Sequence, residues 1–565
     1  MNKPLIGQIL LKEGVISEEQ LNKALETQKS VNERLGKILI QKGWAKEYDV
    51  LKALSFQFNY PLVNLAEQKI DKSLTGRISA KFSHRYNLVP INLQNDVLTV
   101  AVSDPLAVHA FDDLRLMFGC DVSPVLATGN EILKALKKLY GLGADTMEKI
   151  AADDETVPEA ANEKESSETV GDEDASIVKF VNQIIEEAYH DRATDIHLEP
   201  FENDMIIRYR IDGILHEASI PPQVTRYQSA IISRIKIMAD MDIAEKRLPQ
   251  DGRIQFKMGD EIVDLRVSTL PVIHGESVDL RILPRKQMLL GLDQLGLPED
   301  YQKKTEKLIK RPHGIILVTG PTGHGKTTTL YACLSKINSP DKKIITVEEP
   351  VEYQLKGINQ IPVHSKIGLT FANGLRAILR QDPDVIMVGE IRDQETAEIA
   401  IRASLTGHLV FSTLHTNNAP AAVTRLVDMG IEPYLVASSI EAIMAQRLVR
   451  LVCKNCRVED RSDTDFLKSI GFPRDFKGKI YKAGPGCEEC RHTGYRGRTA
   501  IYELLMLDDE LKKLVVEKVS AGLIKKEAIR KGMKTLRDDG WDKVRAGLTT
   551  LEEIIRVTQE EEILE

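Results

Sequence analysis

The chain has 565 residues, of which 42% are apolar by type and 28% charged, with a formal net charge of −8. That length exceeds a single core and fits about three or four domains. No apolar run approaches the roughly 18 residues of a membrane span, and MNKPLIGQILLKEG at the start places Lys and Glu where a signal peptide is uninterrupted, so a cytoplasmic protein is expected.

The first elements form a repeat. Gly7 and Gly36, Gly14 and Gly43, Leu21 and Val50, Leu25 and Leu54, and Gln28 and Gln57 align at a spacing of 29 residues. Each copy predicts a short apolar helix, a glycine-centred turn and a longer helix, which makes 5–57 a tandem helical unit. Residues 60–140 change character: VPINLQNDVLTVAVSDP alternates as strands around Asn95-Asp96, and EILKALKKLYG has the helical period, giving a mixed α/β part. Residues 1–140 together read as an N-terminal regulatory region.

Residues 145–174 hold twelve acids against Lys149 and Lys164, so they carry the chain's negative balance and leave the rest near neutral. With little to bury, 141–175 is expected to be an acidic disordered linker. Beyond it, Ile177, Val178, Val181, Ile184, Ile185 and Ala188 recur at helical spacing, and DIHLEP, MIIRYRID and ILHEASI alternate as strands. An α+β domain over 176–288 follows. From 289 to 565 strands alternate with helices, as a RecA-like parallel sheet requires, and the last hundred residues are expected to be mostly helical.

Within that last region, GIILVTGPTGHGKTTTL (314–330) sets Gly320, Gly325, Lys326 and Thr327 at the G-x-x-x-x-G-K-T spacing, between a strand and a helix. Such a loop, Gly320, Pro321, Thr322, Gly323, His324 and Gly325, turns backbone N–H groups around a polyphosphate. The helix opening at Lys326, Thr327 and Thr328 aims its positive end at the same anion. Lys326 supplies a point charge and Thr327 a Mg²⁺ ligand, so ATP with Mg²⁺ is the expected ligand. Two β-branched runs then end in acids: KKIITVEEPVEY (342–353) in Glu348, Glu349 and Glu352, and DVIMVGEIRD (384–393) in Glu390, Arg392 and Asp393. Phosphoryl transfer asks one acid to hold the Mg²⁺ shell and another to orient water, and strand ends form the ligand-binding rim of a parallel sheet. In TGHLVFSTLHTN (406–417), His408 and His415 stand at opposite ends of one strand and on opposite faces. Joint metal binding is excluded, and spacing alone makes them structural. No further cation stands near the cradle in this region.

Cys453, Cys456, Cys487 and Cys490 form two C-x-x-C pairs thirty residues apart. In a reducing compartment they read as four thiolate ligands of a tetrahedral, structural Zn²⁺ in a lobe over 453–490, with Cys120 and Cys333 as ordinary core residues.

With these motifs in this order the chain resembles the secretion ATPase superfamily, the GspE/PilB family of hexameric motors of type IV pili and type II secretion. GPTGHGKTT resembles its Walker A, ITVEEPVEY its Asp box, LRQDPDVIMVGEIRD its Walker B box and TGHLVFSTLHTN its His box. RYRIDG, MDIAEKRLPQDGRI, RVSTLPVIHGES, AQRLVR and GCEECRHTGYRGR resemble the assembly branch. The resemblance implies a homohexameric ATPase that powers type IV pilus assembly through an inner-membrane platform protein, peripheral at the inner membrane, with type II secretion as the alternative. It implies Glu352 as the water-orienting carboxylate and Glu390 as the Walker B acid, with Glu348 and Glu349 sharing the Asp box and His408 and His415 responding to the γ-phosphate. His324 stands where the family commonly has Ser, and Glu349 where it usually has Asp. Arg210 and Arg226 match the arginines that the preceding domain lends to a bound nucleotide. The N-terminal repeat resembles a tandem cyclic-di-GMP-binding motif. Its second copy keeps Arg34, Leu35, Gly36 and Gln57, whereas Leu5 replaces the arginine of the first, implying weaker binding through Arg34. A DNA translocase would need a basic channel that the near-neutral chain does not offer, so no nucleic-acid partner is expected. A non-enzymatic, nucleotide-gated scaffold is opposed by the two separate acidic strand ends.

Overall fold

The computed structural model describes residues 5–31, 33–148, 171–259, 261–284, 290–473, 476 and 478–558. The chain divides into two compact units, Met1–Leu283 and Pro284–Glu565.

In the first unit, helices Ile6–Lys12 and Glu18–Val31 recur as Leu35–Gln41 and Glu47–Phe58. Both short helices end in a turn through a glycine in the left-handed region, Gly14 at φ +72° and Gly43 at φ +70°, which a side chain would strain. Leu10 and Leu39, equivalent in the repeat, share one core with Ala24 and Ala53, so each copy buries its apolar stripe against the other. Next comes a three-stranded sheet, β1 (Leu88–Gln94), β2 (Val97–Val102) and β3 (Asp121–Leu126), in the order β1-β2-β3. Asn95 and Asp96 both take positive φ between β1 and β2, the backbone a two-residue hairpin demands. Helix Val108–Phe118 packs on one face through Phe111 and Leu114, and helix Gly129–Tyr140 on the other through Ile132 and Leu136.

The acidic linker starts later than its composition suggests. Residues 141–148 are packed: Met147 is fully buried in one core with Ile177, Phe180 and Val181. The Glu148 carboxylate accepts from the backbone N–H groups of Ala80 (2.7 Å) and Lys81 (2.8 Å) at the start of helix Ala80–Tyr86. A charge count averages over such residues, because Leu142, Ala144 and Met147 are few among many acids. At the far end, helix Gly171–His190 takes in 171–175. The stretch 149–170 lies outside the described residues.

That helix and helix Gln228–Met238 cover one face of a six-stranded sheet: β4 (Ala193–Pro200), β5 (Met205–Ile211), β6 (Ile214–Glu217), β7 (Gln250–Met258), β8 (Glu261–Val272) and β9 (Gly275–Pro284). The order is β6-β5-β4-β9-β8-β7. Ile196, Leu198, Ile207, Tyr209, Val278 and Leu280 face the helices. The strand alternation sends Asp195, His197, Arg208, Arg210, Asp279 and Arg281 to the other face. Register sets Arg210 and Arg281 on either side of Asp195.

The second unit is built on β10 (Gly314–Thr319), β11 (Ile344–Glu348), β12 (Asn359–Pro362), β13 (Val385–Val388), β14 (Leu409–Leu414), β15 (Ile440–Val452) and β18 (Tyr495–Met506). Their order is β12-β11-β13-β14-β10-β15-β18, parallel throughout except for β15 with β18. Because helices cover both faces, β10, β13 and β14 are buried along their whole length and read as unbroken apolar runs. A two-residue ribbon, β16 (Val458–Glu459) with β17 (Tyr481–Lys482), lies in the cysteine lobe. The last hundred residues are less helical than expected: TAIYELLM, with the composition of a helix, forms the inner half of β18 because it pairs with β15. Helices follow from Asp509, and the final helix Leu551–Thr558 is pinned to β15 by Glu553, a buried carboxylate that accepts from Arg450 (2.8 Å) and Arg556 (2.6 Å).

Candidate nucleotide site and thiolate cluster

Register brings the carboxyl ends of β10, β14, β13 and β11 to one rim, Thr319 beside Leu414 and Val347 beside Val388. The loop Gly320–Gly325 leaves β10 there, and helix Lys326–Ile337 starts from Gly325, whose φ is +82°. Two glycines answer to close approach as well as to φ. A Cβ on Gly320 would lie 2.5 Å from the Gln446 carbonyl oxygen, and one on Gly325 2.9 Å from Gln446 Nε2. Pro321, Thr327 and Thr328 are half-buried, while Thr322 and Gly323 are exposed. Lys326, only 8% exposed, folds back over the loop and donates to the carbonyls of Gly320 (2.7 Å) and Pro321 (3.0 Å). Burial lowers its ammonium to about 8, with Glu390 opposing that shift and Arg447 reinforcing it. The His324 ring is pushed down to about 4 by burial and then by Arg447 and Lys326, so it is neutral at neutral pH.

The Asp-box acids have three different settings. Glu348, at the end of β11 and 2% exposed, accepts from the Tyr331 hydroxyl, from Thr346 (2.6 Å) and from Gln360 (3.1 Å). Burial and then the Glu348 charge push the Tyr331 phenol up, so its hydroxyl stays a hydrogen-bond donor to Glu348. Glu349 pairs with Arg392 at 3.0 Å. Glu352 is half-buried in the loop after β11, next to Tyr353, whose ring meets Tyr331 edge-on at 4.7 Å.

Glu390 follows β13 in a loop tied to β14, where Thr413 donates to the Gly389 carbonyl (2.7 Å) and the Ile391 N–H to that of Thr413 (3.0 Å). One Glu390 oxygen pairs with Arg392 and the other lies 3.1 Å from His415 Nε2. Asp393 is spent on capping, accepting from the Thr396 N–H at the start of helix Gln394–Leu405. His408 stands at the opposite end of β14, its Nδ1 2.9 Å from the Ala403 carbonyl oxygen. Thus Lys326, Glu390, Arg392 and His415 share the rim and His408 does not.

The expectation of no further cation beside the cradle is corrected by Arg447. It is buried, donates to the carbonyl of Asn417 (2.7 Å), and its Nη1 lies 3.0 Å from where a Gly320 Cβ would be. Sequence reading passed over Gln446 and Arg447 although AQRLVR carries a visible signal, two polar residues inside the apolar run of β15.

In the first unit, Arg210 lies 3.6 Å from Asp195, within hydrogen-bond reach of Gly213 O and His197 Nε2 (both 3.4 Å), while Arg281 takes the other Asp195 oxygen at 2.8 Å. Arg226 is exposed in the turn Pro222–Tyr227. Arg34, at the start of helix Leu35–Gln41, forms an ion pair with Asp104.

The four cysteine sulfurs lie within 4.8 Å of one another, and among the described residues no other group of His, Cys, Asp or Glu meets that proximity. Cys453 and Cys487, and Cys456 and Cys490, are 3.6 Å apart, and Cys487 and Cys490 3.7 Å. Sulfurs about 2.3 Å from a tetrahedral centre are separated by about 3.8 Å, whereas a disulfide needs about 2.05 Å, so the donors fit a four-thiolate metal. Burial would raise the Cys490 thiol, but N–H donors from Cys487 (3.2 Å) and Gly494 (3.3 Å) outweigh it and hold the thiol at about 6. No helix among the described residues is long and apolar enough to cross a membrane.

Comparison with known proteins bears on this geometry. The family profile for type II/IV secretion system proteins matches residues 170–556, and the MshEN domain profile matches 58–146. The type IV pilus assembly ATPase PilB of Myxococcus xanthus is 44% identical over 97% of this chain and 98% of its own. The type II secretion system ATPase E of Vibrio cholerae is 50% identical over 86% of this chain and 97% of its own. Among solved structures, the Legionella pneumophila ATPase DotB, 21% identical, covers 68% of this chain and 96% of its own with a TM-score of 0.50, a likeness of fold.

Lys326 gives the cradle a pH signature. A phosphate prefers the ammonium form, which is already complete below the free value of about 8. Affinity for MgADP is therefore expected to be flat up to that pH and to fall by up to about tenfold per unit above it, as the proton must be regained on binding. Lys326→Arg keeps its charge over this range and is expected to lose the slope. A wild-type affinity that stays level from about pH 7 to 9.5 would remove Lys326 from the phosphates.

Proposed function

From the premise that this chain belongs to the type II/IV secretion system protein family and is a secretion ATPase, we propose that it is a cytoplasmic homohexameric motor, peripheral at the inner membrane, that hydrolyses ATP to drive type IV pilus assembly through a membrane platform protein. End-to-end similarity with the Myxococcus pilus ATPase carries this reading. The higher identity with the Vibrio secretion ATPase favours type II secretion as the second. Deleting the gene separates them: lost pili with intact exoprotein export supports the first, and the reverse outcome replaces it.

In the proposed reaction the loop N–H groups and Lys326 would hold the β- and γ-phosphates, and Thr327 and Glu390 would hold Mg²⁺, which would supply charge neutralisation at the phosphates. Glu352 orients the attacking water. Glu348, already saturated by three donors, suits that role least, and Glu349 takes part through Arg392. His415, against Glu390, responds to the γ-phosphate, and His408, at the opposite end of β14, acts through that strand. Arg210 and Arg226 are proposed to serve the nucleotide of a neighbouring subunit. The tetrathiolate holds one structural Zn²⁺, which ties the ends of β15 and β18 together. The N-terminal repeat is proposed to bind cyclic-di-GMP through Arg34, supported by the place of that residue at the start of helix Leu35–Gln41.

Four outcomes test these assignments. Lys326→Ala and Glu390→Gln are expected to abolish Mg²⁺-dependent turnover, and Glu352→Gln to lose it at least about a hundredfold while still binding ATP. Wild-type turnover in Glu352→Gln moves the role to Glu349. Mixed rings of Arg210→Ala and Lys326→Ala subunits are expected to regain activity, and rings that stay dead argue against action between subunits. Purified protein is expected to contain one zinc per chain, and Cys→Ser at any of the four positions to unfold the lobe. Less than about half an equivalent counts against the metal. Titration calorimetry of the full chain with cyclic-di-GMP is expected to show binding that Arg34→Ala removes. No heat up to about 100 μM ligand leaves the repeat as a docking module.

A further inference from the structure

Parallel pairing sets Ala445 of β15 beside Thr319 of β10, so the next residue, Gln446, stands beside the first glycine of the cradle. Gln446 is 2% exposed, and both ends of its amide are used. Nε2 donates to the His324 carbonyl (2.8 Å), and Oε1 accepts from the Thr329 hydroxyl (2.7 Å) one turn into helix Lys326–Ile337. The His324 carbonyl fixes the orientation of the amide, since the flipped form would set one carbonyl oxygen against another, whereas the Thr329 hydroxyl can donate or accept.

We infer that Gln446 is a positioning residue for the bound nucleotide: it sets the peptide plane between His324 and Gly325 so that the Gly325 N–H faces the phosphates. In a trans peptide the C=O and the N–H point in opposite directions. Gln446 captures the carbonyl on the outer side of the loop, which turns the amide to the inner side, where a polyphosphate needs donors. The same amide reaches the helix through Thr329, so loop and helix are held by one side chain rather than by two independent contacts. Packing enforces the arrangement, because Gly320 and Gly325 approach Gln446 too closely for a Cβ at either position. Arg447, the next residue along β15, bonds the Asn417 carbonyl, and so holds the loop that carries His415 from the other face of the strand. The inference rests on nucleotide occupying the cradle.

The test is Gln446→Glu in the full-length protein. The variant keeps shape and still accepts from Thr329, but presents a second acceptor to the His324 carbonyl. The expected result is an affinity for MgADP lowered about ten- to a hundredfold, with KM for ATP raised in proportion, while kcat changes far less. Unchanged MgADP affinity in the folded variant overturns the inference. So does a fall in kcat and melting temperature at constant affinity, the signature of a residue that only packs. Should Gln446→Glu fail to fold, Thr329→Val removes one anchor and is expected to weaken MgADP several-fold, and an unchanged affinity again overturns the inference. Wild-type protein that binds no MgADP sinks the nucleotide reading itself, and this inference with it.

Discussion

The motor core depends on one constraint, the parallel register of β11, β13, β14 and β10. Strands that run in one direction bring all their carboxyl ends to one rim, and residues far apart in sequence become neighbours there without any long-range side-chain contact to recruit them. The inserted position of β14 is decisive. It separates the cradle strand β10 from the acid strand β13 by one strand width, so the loops that carry Lys326 and Glu390 leave strands that are not direct neighbours. Thr319 tightens that spacing by meeting the Thr416 hydroxyl at 2.8 Å, so the loop that holds His415 moves with the cradle.

Electrostatics at the rim follow from burial. Lys326 rests on two neutral carbonyls, and a buried ammonium with such partners is short of negative charge, which is why its value falls to about 8. Glu390 alone attenuates the deficit, and it is shared with Arg392 and His415. Any ligand that draws Arg392 away therefore changes the partners of Glu349 and Glu390 together, giving the acids of β11 and β13 a common switch point.

Much of this was legible in the sequence where spacing has a direct physical consequence. The helical repeat, the cradle and the two cysteine pairs each use short-range patterns that survive folding unchanged. What the sequence withheld was pairing. TAIYELLM has a helix-like composition, and only β15 makes it a strand; Met147 and Glu148 look like linker until the core containing Ile177 and the start of helix Ala80–Tyr86 receive them. Glu348, Glu349 and Glu352 are equivalent in a list of acids, and it takes Tyr331, Thr346 and Gln360 to show that Glu348 is saturated. Gln446 and Arg447 have no legible role within AQRLVR, because their donors go to the main-chain carbonyls of His324 and Asn417, which no pattern of side chains advertises.

The N-terminal unit uses charge in a weaker currency. The Arg34–Asp104 pair links the helical repeat to the α/β part, but its side chains are 63% and 40% exposed, and such a pair is worth about 0–1 kcal/mol. Asp104 has a second use, accepting from the Leu106 N–H at 3.0 Å, so it remains partly satisfied when the guanidinium leaves. With Leu5 exposed at the equivalent position of the first copy, only the second copy brings a guanidinium to its helix start. The repeat is symmetric in its packing, through Leu10 and Leu39, and asymmetric in its charge, since the ion pair to the α/β part is made by Arg34 of the second copy.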